Sequence, residues 1–195
     1  MTELEKCLAG EVFNTADPEI GRIMRNARTL LRQYNDTEAA NGEEDTQLLG
    51  KLLGGIGSNV HVDRPFYCDY GIHITLGDNV IIGMNCIFVD CNRITIGSNV
   101  LIASGVQVCT STHSARPEER INANWKAEGR PWFRTYALPV TIGNGAWIGA
   151  GVIVLPGVTI GERAVIGAGS VVNRNIPADV VAVGNPCRVI RSTNG

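Results

Sequence analysis

Apolar residues recur at every sixth position through the C-terminal part of the chain. Ile142, Ile148, Val154, Ile160, Ile166 and Val172 keep one register, and Gly143, Gly149, Gly161 and Gly167 each follow one of them. An α-helix repeats at about 3.6 residues and a half-buried strand at about two, so neither accounts for a pure six. A parallel β-helix does, with one short strand and one corner in each hexad. On this reading the first apolar residue of each hexad fills the interior. Glycine or asparagine turns the corner, because those residues tolerate positive φ.

The register also runs upstream, through Ile56, Val62 and Cys68, then Leu76, Ile82 and Phe88, then Ile96, Ile102 and Val108. These coils start 20 residues apart, three hexads plus two, whereas those starting at Ile142 and Ile160 are 18 apart. Five triangular coils are expected, each with three flat faces. Between Val108 and Ile142 the pattern fails, and an insert over 111–139 interrupts it. The insert holds Trp125, Trp132, Phe133 and Tyr136 with Arg116, Arg120, Arg130 and Arg134, which is too aromatic for a disordered linker. It is expected to be an ordered arm that packs on a neighbouring subunit.

Before the first coil the pattern is helical. Asp17-Pro18-Glu19 forms a helix start, with an N-cap carboxylate and proline in the first turn. Ile20, Ile23, Met24, Ala27, Leu30, Leu31 and Tyr34 then make one apolar stripe. Asn35-Asp36-Thr37 is expected to open a second helical piece that Asn41-Gly42 breaks, and Thr46 to Leu49 to lead into the prism. Residues 1–53 are therefore read as a helical cap and 54–195 as the β-helix domain.

Composition narrows the function classes. The 195 residues carry a formal charge of −2 with both signs scattered, so the basic field that nucleic acid requires is missing. No apolar run is long enough to span a bilayer, and MTELEKCLAGE lacks the shape of a signal peptide. A cytoplasmic protein is expected, with Cys7, Cys68, Cys86, Cys91, Cys109 and Cys187 reduced and partly buried. Cys68 and Cys86 fall on inward positions of the repeat.

Three histidines are the candidates for chemistry. Each ends its hexad, which puts His61 on the first face of its coil and His73 and His113 on the third. His73 and His113 lie two coils apart, roughly 10 Å at the usual strand spacing, too far to share a metal ion. No intrachain metal site is expected, and a zinc enzyme of the gamma carbonic anhydrase kind is disfavoured. His113 stands where the register breaks and the arm begins. A histidine held at such a lip suits a general base, because imidazole can both take and return a proton.

Several stretches carry a family resemblance: AGEVFNTADPEI, PFYCDYGIHITLG, NCIFVDCNRITIG, TSTHS, LPVTIGNGAWIGAGVIVLPGVTIGERAVIGAGSVV and VGNPCRVIR. Together they cover nearly the whole chain, which resembles the hexapeptide-repeat acyltransferases, most closely the maltose and galactoside O-acetyltransferases. The resemblance implies a left-handed parallel β-helix, a homotrimer, and transfer of acetyl from acetyl-CoA to a hydroxyl of a sugar-like acceptor. It implies His113 as catalytic base and Asp69, Asn85 and Asp90 on the acceptor side. Trp125, from its place in the arm, is expected to add an apolar wall there. Trp147, Ala150 and Ala168 match positions along the pantetheine, and Asn173, Arg174, Arg188 and Arg191 positions near the nucleotide. Relative to the galactoside enzymes, Gly83 stands where they carry asparagine, and the arm is about ten residues longer. Two other readings keep the fold: an acetyltransferase for an amine, serine or antibiotic, and a non-catalytic scaffold.

Overall fold

Strands of two to four residues stack into three parallel sheets around one interior in this computed structural model, which describes residues 1–36 and 43–194. The first face comprises Gly55–Ile56, Ile74–Leu76, Ile94–Ile96, Val140–Ile142 and Thr159–Ile160. The second runs from Val60–Val62 through Val80–Ile82, Leu101–Ile102, Trp147–Ile148 and Val165–Ile166 to Val180–Val183, with Arg188–Ser192 antiparallel at its edge. The third is Phe66–Cys68, Cys86–Val89, Gln107–Cys109, Ile153–Val154 and Val171–Val172. This is the expected β-helix.

The first-face strands Ile74–Leu76 and Ile94–Ile96 carry an inward residue at each end, and the two-residue strands Leu101–Ile102 and Trp147–Ile148 end on theirs. Ile94 and Ile96 point inside while Thr95 between them points out, as the two-residue alternation of a strand requires. Ile82, Phe88, Ile94, Val108, Ile142, Ile148, Val154 and Ile160 are fully buried, each stabilising the prism by about 1.5–3 kcal/mol relative to exposure. The phase corrects the place of His61. It lies in Val60–Val62, paired with Ile81 on the second face, not on the first.

The glycines serve two different needs. Gly143 and Gly149, directly after inward residues, sit where the next coil passes close: an added Cβ would lie 2.7 Å from the Glu162 nitrogen and 2.6 Å from that of Ala168. The positive-φ corners fall two residues later, at Gly145, Gly151 and Gly169, and at Asn59, Asn79 and Asn99 in the upper coils. The glycine after each inward residue is thus selected by close stacking, and corner conformation selects the position beyond it.

A partial sixth coil follows the expected five. Ile176 bridges to Ile160 in parallel, and Val180–Val183 extends the second face beside Val165–Ile166. The step from Val172 to Ile176 is four residues, so counting in sixes does not reach it.

The cap consists of α1 (Glu3–Leu8), α2 (Pro18–Asp36) and α3 (Glu43–Leu52). Asp17 accepts from the Glu19 and Ile20 nitrogens at 2.9 and 3.4 Å, the expected cap. Ala27, Leu31, Tyr34, Leu49 and Leu52 join Val62, Phe66 and Ile74 in a core that continues down the prism. Asn35 and Asp36 are the last residues of α2 before the undescribed stretch, and the Asn35 amide donates to the Phe66 carbonyl at 2.9 Å and accepts from the Phe66 nitrogen at 3.0 Å. The expected continuation at Thr37 and break at Asn41-Gly42 lie outside the described residues.

The arm leaves and rejoins the prism through an antiparallel pair, Ser111–Thr112 against Tyr136–Ala137. Between them lie α4 (Pro117–Arg120) and α5 (Trp125–Glu128). Within the chain the arm is tied to the cap: Phe13 bridges to Thr135, and Arg130 pairs with Glu3 at 3.1 Å. All six cysteines are free, with Cys68 and Cys109 half-buried and the others buried. No helix among the described residues is long and apolar enough to cross a membrane.

Candidate active site

His113 stands just beyond Thr112, where the arm's two flanks begin to separate. Its Nδ1 lies 2.8 Å from the Arg134 carbonyl, which can only accept, so Nδ1 carries the proton. Thr135 Oγ1 lies at 3.5 Å from the same nitrogen. Nε2 is left without a protein partner among the described residues. The ring packs edge-on against Phe133 at 5.6 Å, and Phe133 against Trp132 at 5.3 Å. Arg120, Trp132, Phe133 and His113 line a cavity of about 270 Å³. Trp132 and Phe133 are thus the aromatic residues that reach His113, and periodicity gives no sign of them. The signal in the chain is Gly129, whose left-handed conformation ends α5 after one turn. The strand that follows returns beside Ile121 through the Ile121–Phe133 bridge.

Trp125 lies elsewhere. It is 40% exposed and lines a separate cavity of about 430 Å³ with Ala16, Lys126, Gly129, Arg130 and Pro131. Within one chain it does not wall the space at His113.

The carboxylates expected on the acceptor side divide into an outer and an inner one. Asp90 is fully buried. Its Oδ1 accepts from the Asp69 and Tyr70 nitrogens at 3.0 and 2.8 Å, and its Oδ2 from the His73 nitrogen at 3.4 Å. Burial pushes its carboxyl up to about 6 despite those bonds. Asp90 therefore holds the 69–73 turn from beneath and presents no oxygen to a cavity. Asp69 is half-buried, receives the Cys91 thiol at 3.8 Å, and is raised by burial. His73 has Nδ1 at 3.0 Å from the Asp90 carbonyl, and burial lowers its pKa. Asn85 is exposed at a positive-φ corner ahead of Cys86–Val89, its nitrogen bonded to the Pro65 carbonyl at 2.7 Å. Gly83 is stacked so closely that a Cβ there would lie 2.7 Å from the Ser104 nitrogen.

The residues expected on the nucleotide side gather on the last coils. Trp147, 54% exposed, points out from the second face. Register carries its row across the sheet from Trp147 to Val165, Val181 and Arg191, a span of roughly 14 Å at three strand spacings. Ala150 and Ala168 are exposed on successive coils, joined by the Gly169 nitrogen to the Ala150 carbonyl at 2.8 Å. Arg188 Nη1 donates to Asn173 Oδ1 at 3.3 Å, which brings those two together, and Arg174 is exposed beside them. No group of three or more histidine, cysteine, aspartate or glutamate side chains among the described residues could hold a metal ion.

Residues 139–174 match the family model of bacterial transferase hexapeptides (six repeats), and residues 6–57 that of the maltose acetyltransferase hexapeptide capping motif. Residues 73–109 match the hexapeptide repeat of succinyl-transferase. The galactoside O-acetyltransferase of Escherichia coli (strain K12) is 37% identical over 194 residues, covering 100% of this chain and 91% of the relative. The crystal structure of a maltose O-acetyltransferase from Clostridium difficile 630 superposes with a TM-score of 0.89 at 39% identity, over 98% of this chain and 97% of the other. A galactoside acetyltransferase in complex with coenzyme A gives a TM-score of 0.89 at 36% identity, over 98% and 91% of the two chains. With the cap and the coils matching family models and these relatives matching over nearly the whole chain, the chain belongs to the hexapeptide-repeat acyltransferases and is an acetyltransferase of their maltose and galactoside O-acetyltransferase group.

Proposed function

We propose that the protein transfers acetyl from acetyl-CoA to a hydroxyl of a sugar-like acceptor, with His113 as general base. The observation that carries this is the tautomer of His113: the Arg134 carbonyl takes Nδ1–H, leaving the Nε2 lone pair free beside a cavity. Nε2 accepts the acceptor's hydroxyl proton as that oxygen adds to the thioester carbonyl. It then returns the proton to the departing sulfur, so no covalent enzyme intermediate is needed. Asp69 and Asn85 hydrogen-bond acceptor hydroxyls, and Asp90 positions the turn that carries Asp69.

The last coils suit the cosubstrate. Trp147 and the exposed Ala150 and Ala168 give a narrow, smooth path for pantetheine. Asn173, Arg174, Arg188 and Arg191 at its far end suit phosphates, which guanidinium groups bind in bidentate fashion.

The active form is a homotrimer in the cytoplasm, with sites between subunits. Its support is the asymmetry of the prism. The first face shows Thr75, Thr95, Thr141 and Thr159 outward, whereas Ile81, Leu101 and Trp147 lie exposed on the second and Tyr67 and Ile87 on the third. Apolar rows of this kind mark interaction surfaces, and two prisms side by side supply a concavity that one flat face lacks. On this arrangement Trp125 meets the acceptor from a neighbouring arm.

A thiol-release assay with acetyl-CoA and a panel of sugars, amines and serine tests the reaction. Release with sugars alone supports it, and none with any acceptor favours a scaffold. Mixing His113→Ala with Arg188→Ala/Arg191→Ala after dissociation tests the shared site. Activity recovers in part if base and nucleotide residues act across subunits. No recovery after confirmed exchange, or a monomer by light scattering, sinks that arrangement.

A further inference from the structure

The cavity that contains His113 has an unbalanced charge. Its lining residues are His113, Arg120, Trp132 and Phe133, and none is acidic. The arm's other arginines are committed. Arg116 pairs with Glu119 at 3.2 Å, Arg130 pairs with Glu3 at 3.1 Å, and Arg134 Nη1 donates to the carbonyls of Glu119 and Ile121 at 3.2 and 2.9 Å. Arg120 differs from them. Its Nη1 donates to the carbonyls of Ser114 and Ala115 at 2.9 and 3.3 Å, which fixes the side chain, but no carboxylate pairs with it among the described residues. Glu119, the nearest acid along the chain, is taken by the Ser114 hydroxyl at 2.5 Å and by Arg116. A half-buried guanidinium is thus held in place with donors to spare, next to the proposed base.

Trp132 completes the picture. Its indole is 58% exposed and braced edge-on by Phe133, so it offers a rigid apolar plate at the mouth of the same cavity. Such a plate suits the C–H face of a sugar ring. A guanidinium beside it suits a carboxylate or phosphate, which it grips through paired N–H donors.

We propose that the acceptor is an acidic sugar, whose ring stacks on Trp132 and whose anionic group is bound by Arg120. The inference rests on the sugar reading of the previous section and names the class of sugar. The anion also assists the chemistry. Placed near His113, it stabilises the imidazolium that forms as the hydroxyl proton is taken.

Matched pairs of acceptors test it: galactose against galacturonate and galactose 6-phosphate, and glucose against glucuronate and glucose 6-phosphate. The wild type is expected to show a KM about tenfold or more lower for an acidic member than for its neutral partner, the worth of a charge-assisted hydrogen bond. The carboxylate and phosphate arms show which anion fits. In Arg120→Gln that preference collapses, and Arg120→Lys, a point charge without the fork, keeps part of it. Trp132→Ala raises KM for neutral and acidic members alike. Because each comparison uses two acceptors on one protein sample, partial unfolding of a variant does not imitate loss of preference. Equal KM values within each pair for the wild type overturn the inference. So does an Arg120→Gln effect that is equal on both members, the mark of an arginine that only braces the arm, or one confined to acetyl-CoA. Acetyl transfer to none of these sugars overturns the sugar reading itself.

Discussion

His113 gives its Nδ1–H to the main-chain carbonyl of Arg134 across 2.8 Å, a bond that joins the two flanks of the arm. The acceptor is backbone, so the tautomer does not depend on any side chain's charge state. Arg134 is anchored in turn by its side chain on the carbonyls of Glu119 and Ile121. The arm thereby sets both the direction and the proton of the imidazole.

Replacing His113 with alanine should lower kcat by about 10²–10⁴-fold, the usual contribution of a positioned base. The melting temperature should stay close to wild type, because the side chain is exposed and makes one strong bond. Thiol release and thermal scanning on the same sample check both. Turnover near wild type would remove His113 from the mechanism.

Arg188→Ala and Arg191→Ala should raise KM for acetyl-CoA more than they lower kcat. Contacts to the nucleotide lie far from the reacting carbonyl and favour ground and transition states equally. Initial rates over a range of acetyl-CoA decide this. An equal loss of kcat at saturating cosubstrate would argue against a nucleotide-side role.

Asp90 should make the fold less stable as pH rises through its titration. Burial raises its pKa from an ordinary 3.8 to about 6, so between those values the native state binds more protons than the unfolded chain. Stability is fully present below 3.8 and declines until about 6, by on the order of 3 kcal/mol. Melting temperature measured across that window should fall with pH in the wild type and change less in Asp90→Asn. Identical slopes in the two proteins would contradict the assignment.

Gly143→Ala should destabilise the prism even though glycine-to-alanine changes often stabilise strands. The added Cβ would meet backbone, at 2.7 Å from the Glu162 nitrogen and 2.9 Å from the Gly161 carbonyl carbon. Backbone in a stacked coil cannot step aside as a side chain can, and overpacking costs about 1–3 kcal/mol. Denaturant titration gives the magnitude, and a neutral or stabilising result would show that the coils can separate.

The hexad register by itself determined the β-helix, its first five coils and the break in the pattern after Val108. Each inward residue bonds its backbone to the coil above and below, so the constraint repeats locally and is written locally. The cap's helix start at Asp17-Pro18 was legible for the same reason. His113 could be singled out because it stands where that periodicity ends. Tertiary structure alone decided the rest. Only the return of the chain after Gly129 set Trp132 and Phe133, rather than Trp125, beside His113. Only burial made Asp90 a prop for the 69–73 turn while Asp69 stayed nearer the surface. The sixth coil and the role of Gly143 likewise depended on how coils approach one another. Contacts between segments distant along the chain leave no period in it, and so they are settled only when the backbone folds back on itself.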